Sequence, residues 1–153
     1  MDKKIPTKKI KDLIIISSFI LLLLIILLFS QPLNKYDHCI LCSLLINASI
    51  FIIALFKNED KIIDIIHIGL MIYIFLALFS NNIFIILIFI LILTIIFFYW
   101  IRDNTCPMGQ YETLEYFHCL LVNHPFESTV IPIVAYLILF YKLHNLILYA
   151  EAR

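Results

Sequence analysis

The stretch from residue 83 to residue 101, IFIILIFILILTIIFFYWI, carries no charge, no glycine and no proline. Its only hydroxyls belong to Thr94 and Tyr99. Wound as a helix it is roughly 28 Å long, close to the thickness of a bilayer's hydrocarbon core. A helix that is apolar on every face needs either a large protein core or lipid around it. A chain of 153 residues has room for one small domain and cannot supply that core. Lipid is therefore the expected surroundings of this segment, and the rest of the chain repeats its character.

Hydrophobic residues make up 63% of the chain and charged residues 14%, a balance far from that of soluble domains. The formal net charge is zero, so no basic surface suggests nucleic acid as a partner. Residues 1–12, MDKKIPTKKIKD, form a leader with five lysines, expected on the cytoplasmic side. A basic start before the apolar run 13–30 has the outline of a signal peptide. The run is too long for one, and Gln31-Pro32 follows where a small-residue cleavage site would stand. An uncleaved signal-anchor is the expectation.

Residues 13–153 then read as a single all-α transmembrane domain, a polytopic bundle of five helices. The spans fall at about 13–30, 39–56, 62–79, 83–101 and 129–148. Gln31 to His38, Lys57 to Lys61 and Ser80-Asn81-Asn82 are polar turns between them. Pro132 falls near the start of the last span, where proline is tolerated. Lysine and arginine set the orientation. With the N-terminus cytoplasmic, that side receives the five leader lysines, Lys57, Lys61 and Arg102, against Lys35, Lys142 and Arg153 opposite. The C-terminus is then expected outside or in a lumen. Tyr99 and Trp100 become aromatic anchors at the inner interface, and Tyr141 and Tyr149 near the outer one. Only two glycines are present, so helix contacts are expected through Ile, Leu and Phe, with a few polar side chains.

Cys39 and Cys42 form a C-x-x-C at the opening of the second span, with two thiols one helical turn apart. At a helix N-terminus, free N–H groups and the helix dipole stabilise a thiolate, as a redox pair requires. The same residues also suit two small apolar side chains at the top of a membrane helix. Cys106 and Cys119 lie in the long polar segment before the last span. This layout of four cysteines resembles the disulfide-bond formation protein (DsbB) family. In that family the C-x-x-C exchanges electrons with a quinone, and the later pair passes oxidation to a soluble partner. The resemblance implies Cys39 and Cys42 as catalytic thiols and a quinone as cofactor; outside it no cofactor is expected. Ser43-Leu44-Leu45 stand where the family has an arginine after the C-x-x-C. Five crossings also put Cys106 and Cys119 on the face opposite Cys39 and Cys42, and thiol exchange needs sulfur to meet sulfur.

A second motif runs Trp100-Ile101-Arg102-Asp103-Asn104-Thr105-Cys106-Pro107-Met108-Gly109-Gln110-Tyr111-Glu112. It resembles a family of small integral membrane proteins without an assigned activity, in which an apolar span ends in an aromatic residue and Cys-Pro-Leu-Thr-x-x-Glu follows. Cys106, Pro107 and Glu112 match, Met108 and Gly109 depart, and His67 falls where that family often has a histidine. The likeness covers about residues 62–148 and implies architecture. Asn104 or Thr105 can cap a helix and Pro107 suits a first turn. Tyr111, Leu114, Phe117 or His118, and Leu121 recur at helical spacing, so a short amphipathic surface helix is expected over about 110–121. Trp100, Cys106, Pro107 and Glu112 then shape an elbow leading into the last span.

Asp64 and His67 lie one turn apart in the third span, and Asn47 lies in the middle of the second. Ionisable groups inside a span usually face the bundle interior or a water path. The first two can relay protons, bind a cation or simply bond to each other; Asn47 is expected to hydrogen-bond across helices. His118, Cys119 and His124 with Cys106 lack the spacing of a zinc site, so no metal is expected. Nucleotide-binding loops and hydrolase motifs are missing. The leading expectation is an integral membrane protein of structural or accessory type, with the bilayer and other membrane proteins as partners. Enzyme activity is the lesser expectation, through a thiol–disulfide oxidoreductase built on Cys39 and Cys42. A small transporter or channel subunit using Asp64 and His67 is the third.

Overall fold

The computed structural model describes residues 7–103 and 125–151, and within them every element is an α-helix. These are α1 (Thr7–Ser30), α2 (Lys35–Lys57), α3 (Asp60–Ala77), α4 (Ile83–Asp103) and, as α5, Pro125–Glu151. The surface helix expected over 110–121 falls outside the described residues. Three helical stretches are long and apolar enough to cross a membrane: Ile10–Ser30, Lys35–Lys57 and Pro132–Ala150. A further apolar stretch covers Ile83–Tyr99 in α4.

The helices outrun the apolar segments, because caps rather than hydropathy set their ends. Asn34 stands at the N-cap of α2 in extended conformation, and its side-chain oxygen accepts from the Asp37 amide. Lys35 to His38, expected as a turn, are therefore the first turn of α2. At the other end Asn58 adopts the left-handed conformation, with φ 53° and ψ 44°. The Glu59 amide reaches back to the Ala54 carbonyl and the Asn58 amide to that of Leu55, a Schellman closure. Asparagine replaces the usual glycine because its short side chain tolerates this region. Only Asn58 and Glu59 separate α2 from α3, so most of the expected charged turn is helical.

The third helix stops at Ala77, two residues before the expected end of its span. Amides of Leu78, Phe79 and Ser80 each reach back three residues, to the carbonyls of Phe75, Leu76 and Ala77, in a tightened exit. Ser80 is fully buried and accepts from the Asn82 amide. Asn82 then caps α4 by accepting from Phe84 and Ile85. The fifth helix starts at Pro125, a residue suited to the first helical position. Pro132 consequently lies inside α5 rather than near its start, and cannot donate to the carbonyl of residue 128.

Successive helices run in alternating directions. The first three pack side by side, α4 packs against α5, and α3 meets α4 over a shorter stretch. The main core draws on every helix, through Leu24, Leu44, Ile74, Phe89, Leu93 and Leu139 among others. A second cluster, with Leu13, Phe51, Ala54 and Ile63, closes the end where α1 and α3 begin and α2 finishes. Three alanines, Ala54, Ala77 and Ala135, are buried. Gly69 admits Asn47 so closely that an added Cβ would lie 3.2 Å from the amide oxygen. Close small-residue packing, expected to be nearly unavailable, is thus used where the sequence allows it.

Every helix also points large apolar side chains outward, including Phe29, Phe56, Phe75, Phe98 and Leu137. Tyr99, expected as an interfacial anchor, is instead buried, 3% exposed. The Arg102 guanidinium stands 4.5 Å from the centre of its ring.

Candidate functional site

The most unusual chemistry lies where α2 begins, α3 ends and α5 passes. The sequence Asn34-Lys35-Tyr36-Asp37 folds back on itself as a reciprocal cap. While the Asp37 amide donates to Asn34 Oδ1, at 2.8 Å, the Asn34 amide nitrogen donates to Asp37 Oδ2, at 2.7 Å. The start of a helix favours an anion, so the dipole holds the carboxylate there. Asp37 is nevertheless only 1% exposed, and its second oxygen, Oδ1, has no hydrogen-bond partner.

Two donors near this carboxylate are committed elsewhere. The Tyr36 hydroxyl donates to the Leu76 carbonyl at 2.8 Å. The half-buried Lys142 ammonium, carried by α5, donates to the Leu78 carbonyl at 2.9 Å. These carbonyls belong to the end of α3, where a helix runs out of internal donors. The Lys142 ammonium feels the Asp37 carboxylate electrostatically while bonding to the carbonyl. The result is a node rich in acceptors around a buried carboxylate, drawing on three helices.

Sequence reasoning missed this node. By sequence Asp37 falls in a polar turn, and Lys142 bears only on orientation. Two signals could have found it: an Asn-x-x-Asp capping spacing and a single cation inside the apolar run of α5.

Cys39 and Cys42 lie beside the node. Both thiols are free; Cys39 is exposed and Cys42 half-buried. The Cys42 sulfur stands 3.6 Å from His38 Nδ1. Cys39 is the fifth helical residue, so its amide is not among the four donors free at a helix start. The expected helix-terminus stabilisation of a thiolate therefore does not reach it through its own N–H. Ser43 further ties this turn by donating to the carbonyls of Cys39 and Ile40.

Asn47 faces Gly69 across the α2–α3 contact and, with Ser17, supplies the polar lining of an otherwise apolar cleft of about 80 Å³. Residues of α1, α2, α3 and α4, including Leu24, Phe51, Ile92 and Tyr99, form its walls. His67 is half-buried in α3, three residues after Asp64. Trp100 belongs to α4, whereas Cys106, Pro107, Glu112, Cys119 and His124 lie outside the described residues. Among the described residues no group of His, Cys, Asp and Glu is placed to hold a metal ion. In comparisons with known proteins, no family model, no curated protein and no solved structure matches the chain.

Proposed function

We propose that this chain is a multi-pass integral membrane protein with five crossings, acting as a structural or accessory component through contacts within the bilayer. One observation carries this reading: large apolar side chains point outward from all five helices, while a second apolar set fills the interior. A water-soluble bundle keeps one polar face per helix. The alternation of helix directions supports an odd number of crossings, with the basic leader and the end of α5 on opposite faces. Side-resolved labelling with a membrane-impermeant maleimide, on single-cysteine variants in sealed vesicles, tests it. Cys39 and a cysteine introduced at Asn58 are expected to label from opposite faces. Labelling of both from one face removes the five-crossing reading.

A second reading, thiol–disulfide exchange, is favoured by the contact between Cys42 and His38. A partner disulfide would meet exposed Cys39, forming a mixed disulfide and releasing one partner thiolate. Cys42, its proton passed to His38, would displace the second thiolate and leave a Cys39–Cys42 disulfide. Two electrons reach the partner, and both its sulfurs end as thiols after protonation. The cost is local, since side chains three apart in a helix hold their Cβ atoms about 5–6 Å apart and a disulfide needs about 3.5–4.5 Å. The first turns of α2 must open for the bond to close. A Cys42→Ser variant is expected to trap the mixed disulfide at Cys39; failure to trap one in native membranes ends this reading.

A further inference from the structure

We propose that the cleft between α1 and α4 binds an uncharged ligand from the lipid phase, a hydrocarbon body carrying one oxygen, held by hydrogen bonds from Ser17 and Asn47. The inference rests on the membrane reading proposed above. The cleft lies over α2 and α3, where α1 packs closely on α2 and α4 on α5 but α1 and α4 do not pack closely on each other. Along α1 it extends from Leu13 to Leu24, about 16 Å of helix. Its walls are almost wholly apolar, and among the described residues no charged side chain lines it.

Two polar groups in these walls lack a partner. Ser17 is only 9% exposed, yet its hydroxyl makes no hydrogen bond among the described residues. Ser43, Ser49 and Thr94 show the usual resort of a helical hydroxyl, a bond to the carbonyl one turn back. Ser17 does not take it. The Asn47 amide also makes no hydrogen bond among the described residues, with its oxygen the atom nearest Gly69. A polar group left unpaired away from water costs free energy, which an occupant with an acceptor oxygen recovers.

Depth narrows the class of occupant. Ser17 lies seven residues after Ile10, where the membrane-length stretch of α1 begins, about 10 Å along the axis. Asn47 lies ten residues before Lys57, about 15 Å from that end of α2. In a hydrocarbon core about 30 Å thick, both stand well below the esters and phosphates of ordinary phospholipids. An ionised group would find no counter-charge in the lining. Water, which needs several polar partners, would meet mostly hydrocarbon. A plain acyl chain suits the walls but leaves both polar groups unpaired. A long-chain ketone or alcohol satisfies the walls and supplies the acceptor.

Laurone, a ketone with its carbonyl in the middle of a long alkyl chain, and tricosane, the alkane of the same length, are the probes. The full chain in ether-lipid nanodiscs, which carry no lipid ester band, is titrated with laurone. Infrared spectroscopy follows the ketone stretch, which moves to lower frequency on hydrogen bonding. The expected result is a shifted band that saturates and is missing from empty nanodiscs. Ser17→Ala and Asn47→Leu are each expected to weaken binding about threefold, the affinity equivalent of an average hydrogen bond between helices in lipid, and the double variant about tenfold. Ile20→Trp, which places a larger side chain in the cleft, is expected to abolish saturation. On the wild type alone, tricosane is expected to displace laurone only at about tenfold higher concentration, a comparison that holds should the variants fail to fold. No saturable shifted band, unchanged affinity in the double variant, saturation kept in Ile20→Trp, or displacement by tricosane at equal concentration would each overturn the proposal. The last would mean that hydrocarbon alone fills the cleft. Failure of the membrane reading is seen separately, as maleimide labelling of Cys39 and position 58 from one face.

Discussion

Single residues decide how closely these helices approach. Gly69 has no Cβ, and Asn47 occupies the space one would take. An alanine there gains about 1 kcal/mol of helix propensity but must push the Asn47 amide by a few tenths of an ångström. The two effects oppose each other, so Gly69→Ala is expected to change stability little in the wild type. In an Asn47→Ala background the obstruction is gone, and the same substitution is expected to stabilise by about 1 kcal/mol. Thermal unfolding of the four proteins in detergent reads the difference; equal effects in both backgrounds would show that the two side chains do not meet. Asn47 was legible as a mid-span polar group, but its neighbour was not, since nothing local in a sequence pairs residue 47 with residue 69.

The contact between α4 and α5 is an aromatic one at the scale of elements. Tyr136 packs edge-on against Phe97 with ring centres 5.3 Å apart and tilts over Phe140 at 4.9 Å. Its hydroxyl stands 3.2 Å from Thr94 Oγ1, which also donates to the Ile90 carbonyl within α4. Hydrogen bonds between helices in lipid average about 0.6 kcal/mol, whereas loss of a packed aromatic ring costs about 3–5 kcal/mol. Tyr136→Phe is therefore expected to cost under about 1 kcal/mol and Tyr136→Ala several times more, as measured by denaturation in mixed micelles. Similar losses for both would mean the hydroxyl, not the ring, joins the helices. Ends of elements behave differently. Asn58 holds a left-handed position that costs most residues about 1–2 kcal/mol. Asn58→Gly is expected to be neutral or stabilising and Asn58→Ala destabilising by about 1 kcal/mol, read by the same unfolding assay.

At the scale of the molecule, the described residues carry large apolar side chains both inside and outside, the pattern on which the proposed membrane setting rests. Leu93 is buried within α4, whereas Leu137 points away from α5. Arginine at the centre of a lipid-facing span costs about 2.5–3.5 kcal/mol of insertion free energy. Leu137→Arg is accordingly expected to reduce integration of α5 strongly, measured as the fraction resisting alkaline extraction from membranes. Full integration of that variant would mean α5 does not face lipid. At one end α5 meets the end of α3 through the bond from Lys142 to the Leu78 carbonyl, and the Asp37 carboxylate at the start of α2 acts on the same ammonium.

Local chemistry written in the chain determined the helical class and the number of helical segments in the described residues. Apolar runs specify helices that need no polar face, and Asn34, Asn58 and Asn82 cap or close helices through bonds to residues two to four positions away. Tertiary structure alone decided which polar groups matter. Asp37 and Lys142 are 105 positions apart in a chain of 153, and Leu78 lies between them. Their convergence depends on the alternating packing of whole helices, a long-range property carried by no local periodicity. For the same reason Tyr99 turned inward although it closes an apolar run: the face a residue occupies is set by the helix it packs against, and hydropathy is blind to direction.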